Sequence, residues 1–395
     1  MKIVFFDFTR QYGGSRQSAV SLAKRLAVNN EVEVIDAYNV CQDYIASMEE
    51  ANIKTHILLP EAKEFYIGYK NNKLRRLWRS LYQFPSFWRL QRRLIKKIRE
   101  INPDVIWTTT DICLLFAGLS FRLRRYPLIR YVCTCLESTH ISKRSRWAMK
   151  HCATMLIAIS TETARQLQLA GIEEDKIKTV FSTVEKADIL KRSAKPLESS
   201  LPCMDRHPRI LLAARLLDEK GQHTAIKAIA RLKADGLEPT LWLAGDTYGN
   251  DLSYEKYLHD LVEQLELSHN VHFLGWRKDI PSLINACDIA ILPTYTEGFP
   301  RVVLEAMLLH RPVVATFVGG IKDLVEDGKN GLIFPVDDDE TLASHIKRLA
   351  SNEKYAAELA ENGYRTATEK FNSEIHTKRI INALIEAVNR KRKDK

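Results

Sequence analysis

Two hydrophobic patterns alternate along this chain. Short, nearly continuous apolar runs recur between stretches in which apolar residues return every three or four positions. The first pattern predicts strands buried on both faces, and the second predicts helices. Residues 2–8 form the first such run. A loop with Gly13-Gly14 follows, then a helix with Ala19, Leu22, Ala23 and Leu26 on its apolar face, and a second strand over 31–37. Strand, glycine loop, helix and strand in that order predict a βαβ start to a parallel sheet. Further strands are predicted at 104–110, 128–135, 154–160 and 177–183, with helices between them, including 162–169.

From 191 to 208 the periodicity fails, and proline, serine and charge take over, as in a linker. A second series then begins, with strands predicted at 209–215, 240–246, 271–275, 289–294, 313–316 and 331–334. The chain after 340 reads as mostly helical. The expected organisation is an α/β protein with a first domain over 1–190, a linker over 191–208, a second domain over 209–375, and a terminal helix with a basic tail over 376–395. Two doubly wound parallel-sheet domains in series predict a ligand cleft between them, at the carboxyl ends of both sheets.

Charge changes this picture in one place. The chain of 395 residues carries a formal net charge of +10, and residues 69–101 are its most basic region. Phe87, Leu90, Leu94, Ile98 and Ile101 share one helical face there, with Trp88 and Ile95 beside it. Arg89, Arg92, Arg93, Lys96, Lys97 and Arg99 fill much of the rest, and Trp78, Tyr82 and Phe84 precede them. Such a helix suits an anionic membrane surface. It equally suits a core-packed helix with a solvated basic face. No nucleic-acid motif accompanies the charge, so nucleic acid is not expected as a partner. The seven cysteines show no paired spacing, which argues against a disulfide framework or a zinc site and favours a reducing cytoplasm. The N-terminal run reads as no secretory signal, and polar residues 108–111 interrupt the longest apolar candidate for a membrane span. Any membrane contact is therefore expected to be peripheral.

The candidate chemistry is concentrated in PTYTEGFPRVVLEAMLLHRPVVATFVGGIKDLVEDGKNGLIFP, residues 293–335. Glu297 lies in a Gly/Pro loop after a strand, and Glu305 lies on the helix which that loop opens. Between them, Gly298 and Phe299 offer backbone N–H groups at the helix start, where anions are favoured. A carboxylate one or two turns further on is remote from a phosphate there, yet can accept bonds from ligand hydroxyls. The arrangement suits a ligand anionic at one end and polyhydroxylic at the other, such as a sugar nucleotide. The plainer alternative is a strand, loop and helix bearing two exposed glutamates.

RILLAARLLDEKGQHTAIKAIARL, TLWLAGD, VHFLGW, ACDIAILPTYTEGFPRVVLEAM and RPVVATFVGGIKDLVEDGKNGLIFPVDD follow one another in order. Together they resemble the second domain of family-4 retaining glycosyltransferases of the GT-B fold. The likeness is close over about 209–350 and looser over 1–190. It implies two Rossmann-like domains facing a central cleft and a UDP- or GDP-sugar donor. It also implies retention at the anomeric carbon, and no cofactor or catalytic metal. By the same resemblance Arg215 and Lys220 grip the diphosphate, Glu305 holds the ribose hydroxyls, and Glu297 lies beside the donor sugar. The backbone of Gly298, Phe299 and Arg301 meets sugar and phosphate, Trp276 lies by the base, and Gly13-Gly14 approach the diphosphate from the first domain.

Departures from the family pattern fall mainly on the acceptor side. The usual histidine after the strand at 131–135 is missing, leaving Glu137 or His140 for its polar role. VFSTVEK replaces an Asn-Gly turn, and His310 replaces a small residue. Asp337-Asp338-Asp339 reads as a turn and helix N-cap rather than a metal site. The implied activity is transfer of a hexose to a glycan or lipid-linked acceptor, in bacterial cell-surface polysaccharide or lipopolysaccharide synthesis, on the cytoplasmic side and peripheral to the membrane. The competing expectations are a catalytically silent sugar-nucleotide scaffold, and an epimerase or phosphorylase on the same fold.

Overall fold

The computed structural model describes residues 1–8, 13–60, 73–120, 122–133, 141–197, 200–247 and 252–393. Contacts divide the chain into two compact units. The first holds residues 1–159, 163–180 and 377–395, and the second holds 160–162 and 181–376.

The first unit is built on a seven-stranded parallel sheet among the described residues. Its strands are β1 (Lys2–Asp7), β2 (Glu31–Asp36), β3 (Lys54–Ile57), β4 (Val105–Thr108), β5 (Leu128–Val132), β6 (Met155–Ala158) and β7 (Ile177–Thr179). They lie in the order β3-β2-β1-β4-β5-β6-β7. The central strands read as unbroken apolar runs because helices cover both faces of the sheet. β3 escapes that pattern. Its sequence, KTHI, lies at a sheet edge and is held by polar contacts: His56 Nε2 is 2.5 Å from Glu33 Oε2, and Thr55 Oγ1 donates to Glu49 Oε1 at 2.7 Å.

The helix Lys73–Ile101 settles part of the reading of the basic region. Leu90, Leu94, Ile98 and Ile101 are buried in the first unit's core, with Phe87 and Ile95 packed against it. Arg89, Arg92, Arg93, Lys96 and Arg99 face outward, and Trp88 is 54% exposed. Over residues 85–101 the helix is thus anchored on one side and cationic on the other, while the side chains of 73–84, among them Trp78, Tyr82 and Phe84, lie outside the described ones. Residues 69–72 of that region lie outside the described residues. No helix of the described residues is long and apolar enough to cross a membrane.

The second unit carries a six-stranded parallel sheet of β8 (Arg209–Ala213), β9 (Thr240–Ala244), β10 (Val271–Gly275), β11 (Ile289–Leu292), β12 (Val313–Thr316) and β13 (Leu332–Phe334), ordered β10-β9-β8-β11-β12-β13. The helix Lys186–Ser193 covers the start of the expected linker and packs within this unit. The closing helix Ser373–Lys393 passes from the second unit into the first. There Arg25 Nε donates to Thr377 Oγ1 at 2.9 Å, Lys178 pairs with Glu386 at 3.0 Å, and Arg390 pairs with Asp175 at 3.0 Å.

Candidate active site

The strand order of the second sheet reverses between β8 and β11. Connections that leave two such neighbours diverge, and a crevice opens at their carboxyl ends. Two segments emerge there, 214–221 after β8 and 293–300 after β11. The amide of Tyr295 donates to the Glu219 carbonyl at 2.8 Å, and Thr294 Oγ1 donates to the same oxygen at 2.9 Å. Gly221 has φ +66°, and a Cβ on it would overlap the carbonyl oxygen of Pro293. Only glycine lets the two backbones meet this closely.

Lys220 and Glu297, 77 residues apart in sequence, meet as a result. Lys220 Nζ lies 3.1 Å from Glu297 Oε2, 3.3 Å from the Thr296 carbonyl and 3.5 Å from Thr294 Oγ1. Their side chains are only 14% and 20% exposed. An ammonium with three donors, held by oxygens from one loop, is a fixed point charge at the strand ends. Glu297 is anchored through its own peptide, since the amide of Gly320 donates to its carbonyl at 3.0 Å. Arg215 is exposed just beyond β8, and its carbonyl accepts from Gln222 Nε2 at 2.8 Å.

Glu305 lies on the helix Arg301–Leu308, which Pro300 caps. The expectation of two exposed glutamates fails here: Glu305 is 9% exposed, with Arg301 Nη2 at 3.7 Å. Burial pushes its carboxyl above the ordinary value of 4.5, while Arg301 and Arg192 oppose the shift and Asp188 adds to it. A carboxyl whose folded pKa is raised holds its proton more tightly when folded. Stability is therefore complete below the ordinary value and declines as pH rises through the raised one. Glu305→Gln is accordingly expected to raise the melting temperature of the unliganded protein near neutral pH. Thermal melts across the acid range should show that gain vanishing as pH falls; a gain unchanged with pH contradicts it.

Gly298 and Phe299 are buried ahead of the cap, and the Phe299 ring packs on Phe371 with centroids 5.6 Å apart. Among the described residues neither of their amides has a hydrogen-bond partner. Trp276 does not pack into the core. It is 62% exposed after Gly275, with Lys278 Nζ 5.5 Å from its ring centre, and so presents an aromatic face to solvent. The aspartate run behaves as a turn and cap: Asp338 accepts from the Thr341 amide at 2.9 Å and opens the helix Asp339–Ser351. Among the described residues no group of His, Cys, Asp and Glu is placed to hold a metal.

In the first unit, Gly13 caps the helix Gly14–Ala27 beyond β1 and is exposed. Sequence reasoning missed what secures this helix start. Arg16, on its first turn, is buried against Asp7 at 2.8 Å and also bonds Thr109, while Tyr44 Oη donates to Asp7 Oδ2 at 3.2 Å. The one available signal was an aspartate closing an otherwise apolar strand. Glu137 and His140, the candidates for the displaced histidine, lie outside the described residues.

Comparison with known proteins gives two family matches that between them span most of the chain. The description Glycosyltransferase Family 4 matches residues 12–186, and Glycosyl transferases group 1 matches residues 199–366. Among curated relatives, the lipopolysaccharide core biosynthesis glycosyltransferase LpsE of Rhizobium meliloti is 32% identical over 45% of this chain and 49% of its own length. The putative colanic acid biosynthesis glycosyltransferase WcaL of Salmonella typhimurium is 30% identical over 55% and 52%. The chain thus spans about half the length of the curated relatives it matches. Anabaena Alr3699/HepE, solved in complex with UDP and glucose, is similar over 98% of this chain and 99% of its own, with TM-score 0.79 and 26% identity. Its complex with UDP-glucose aligns with TM-score 0.77 at 25% identity, over 98% of this chain and 100% of its own.

Proposed function

We propose, because this chain belongs to the family-4 glycosyltransferases of the GT-B fold, that it transfers a hexose from a UDP-sugar, with retention at the anomeric carbon, to a saccharide acceptor of a bacterial cell-surface polysaccharide or lipopolysaccharide. The observation that carries this reading is the Lys220–Glu297 pair at the β8/β11 reversal. A departing nucleoside diphosphate gathers negative charge, and cations fixed where that charge develops lower the barrier. Lys220 and Arg215 take that role. Glu297, bonded to Lys220, orients the donor sugar at the same point. Glu305 accepts from the ribose hydroxyls; such bonds favour its ionised form and offset the burial that disfavours it. Trp276 stacks the base. In a front-face displacement the glycosidic C–O bond breaks as the acceptor oxygen bonds to the anomeric carbon, and a diphosphate oxygen takes the acceptor proton. Positioning and electrostatics are then the protein's contribution.

UDP is preferred over GDP here because of the UDP and UDP-glucose complexes of HepE, and the acceptor class because of LpsE and WcaL. A thermal-shift series with UDP, UDP-glucose, GDP and GDP-mannose tests the donor. A ligand at about a hundred times its Kd stabilises by roughly 2.7 kcal/mol. UDP compounds should shift the transition and GDP compounds should not; no shift with any of them overturns the reading.

The outward-facing Arg89, Arg92, Arg93, Lys96 and Arg99, with exposed Trp88, support cytoplasmic action at an anionic membrane surface. Flotation should bring the protein up with phosphatidylglycerol vesicles at low salt and leave it behind at about 1 M salt, where the Debye length is only ~3 Å. Equal recovery with neutral vesicles counts against this partner.

A further inference from the structure

The first unit carries a second cationic surface, separate from residues 85–101. The helix Asp111–Leu119 packs beside Lys73–Ile101: Gln91 Nε2 donates to the Phe116 carbonyl at 2.6 Å, and the Phe87 and Phe116 ring centres are 4.9 Å apart. The helix Lys143–His151 joins the same layer. Leu90, Phe116 and Met149, one from each helix, share a core with Val4, Phe6 and Leu156 of the sheet, so all three helices cover one sheet face. From 112 to 152 the sequence has eight Lys and Arg residues and one carboxylate, Glu137. Arg130 is buried and pairs with Asp111 at 2.9 Å. Most of the other cations are exposed.

An apolar anchor stands among them. Trp147 is 41% exposed, and Leu119 on the neighbouring helix is 46% exposed. Arg124 links the two helices, since its Nε bonds the Gly118 carbonyl in a short contact and its guanidinium lies 5.7 Å from the Trp147 ring centre. Lys143, Arg144 and Lys150 lie four and three positions before Trp147 and three after it, so they flank it on one helix face. All three are exposed, and none has an ion-pair partner among the described residues. Glu173 faces Lys150 but is paired with Lys176 at 2.9 Å. Unpaired cations around an exposed tryptophan match a surface that is anionic outside and apolar beneath, where tryptophan settles at headgroup level. A flat partner also suits a layer of parallel-lying helices that exposes Trp88 and Trp147 together.

We propose that the helix Lys143–His151 is a second membrane contact. Trp147 enters the headgroup region of an anionic bilayer while Lys143, Arg144 and Lys150 meet lipid phosphates. With the Trp88 helix it fixes which side of the first unit faces the membrane. This contact rests on the membrane reading above and is independent of sugar transfer.

Each cation near an anionic surface raises partitioning about fivefold. Arg144→Ala/Lys150→Ala should therefore lower the partition coefficient on phosphatidylglycerol vesicles at low salt about 25-fold. Lys191→Ala/Lys195→Ala removes the same charge from exposed positions of the second unit and should change it by less than about threefold. Arg89→Ala/Arg92→Ala is the parallel test of residues 85–101. A loss there with none in Arg144→Ala/Lys150→Ala leaves the first contact standing and overturns the second; no flotation of the wild type overturns both. Insertion is read by fluorescence with brominated phosphatidylglycerol. In a Trp88→Phe background, Trp147→Phe should remove a measurable part of the quenching, and quenching that is the same with and without Trp147 overturns the anchor. Urea midpoints equal to wild type show that a variant has lost the contact rather than the fold.

Discussion

Lys220→Ala is expected to lower kcat for sugar transfer by about 10²–10³-fold while the protein stays folded, the cost of removing one preorganised donor from a site of developing negative charge. The lysine is nearly buried, and its three oxygen partners come from one loop, so its charge needs no reorganisation when the diphosphate departs. Alanine removes that charge and leaves the Glu297 carboxylate without its partner. Arginine is no substitute, because a planar fork cannot reach the same three oxygens. Glu297→Ala should lose a comparable factor, and the double variant should be little worse than either single one, since groups acting as a unit are strongly non-additive. Initial rates with a UDP-sugar decide the matter. A rate within about threefold of wild type in Lys220→Ala, or two losses that simply multiply, removes the pair from the catalytic centre.

The second large effect is steric. Gly319 has φ +51°, and a Cβ placed there would overlap the backbone carbonyl of Glu297. Gly319→Ala combines left-handed strain of about 1 kcal/mol with a collision between two main chains that cannot rotate aside. A total loss of about 3–4 kcal/mol is expected. Gly328→Ala is the matched control: its φ is +71°, but nothing lies within 4 Å of the added methyl, so only the strain applies. Urea unfolding of both should separate them by about 2 kcal/mol or more. Equal midpoints would mean that the Glu297 loop yields freely and is not the rigid support described above.

Much of the fold was readable in advance because parallel strands sandwiched by helices must be apolar along their whole length. β1, β4, β6 and most strands of the second sheet come close to that, whereas β2, EVEVID, alternates acidic with apolar residues and β5, LIRYV, carries the buried Arg130. β3 was not readable, since a polar edge strand carries neither alternation nor an apolar run. Glu297 and Glu305 were visible by spacing, but spacing carried no information on their burial or on the contact between Glu297 and Lys220. Such contacts depend on where two distant loops leave a sheet. His310, noted only as a departure, takes a left-handed backbone with φ +52° and stacks on Tyr364 with ring centres 4.0 Å apart.

The last helix also sets an order of events at the ribosome. Residues 377–395 complete the first unit, whose remaining parts end at 180. Ile380, Leu384 and Ala387 are fully buried on that helix, and Ala383 nearly so. About 200 residues must be translated between the two, which takes roughly 10–40 s at 5–20 residues per second. During that interval the nascent first unit exposes an apolar strip that nothing later than 180 yet covers, and a chaperone that shields such strips would find its binding site there.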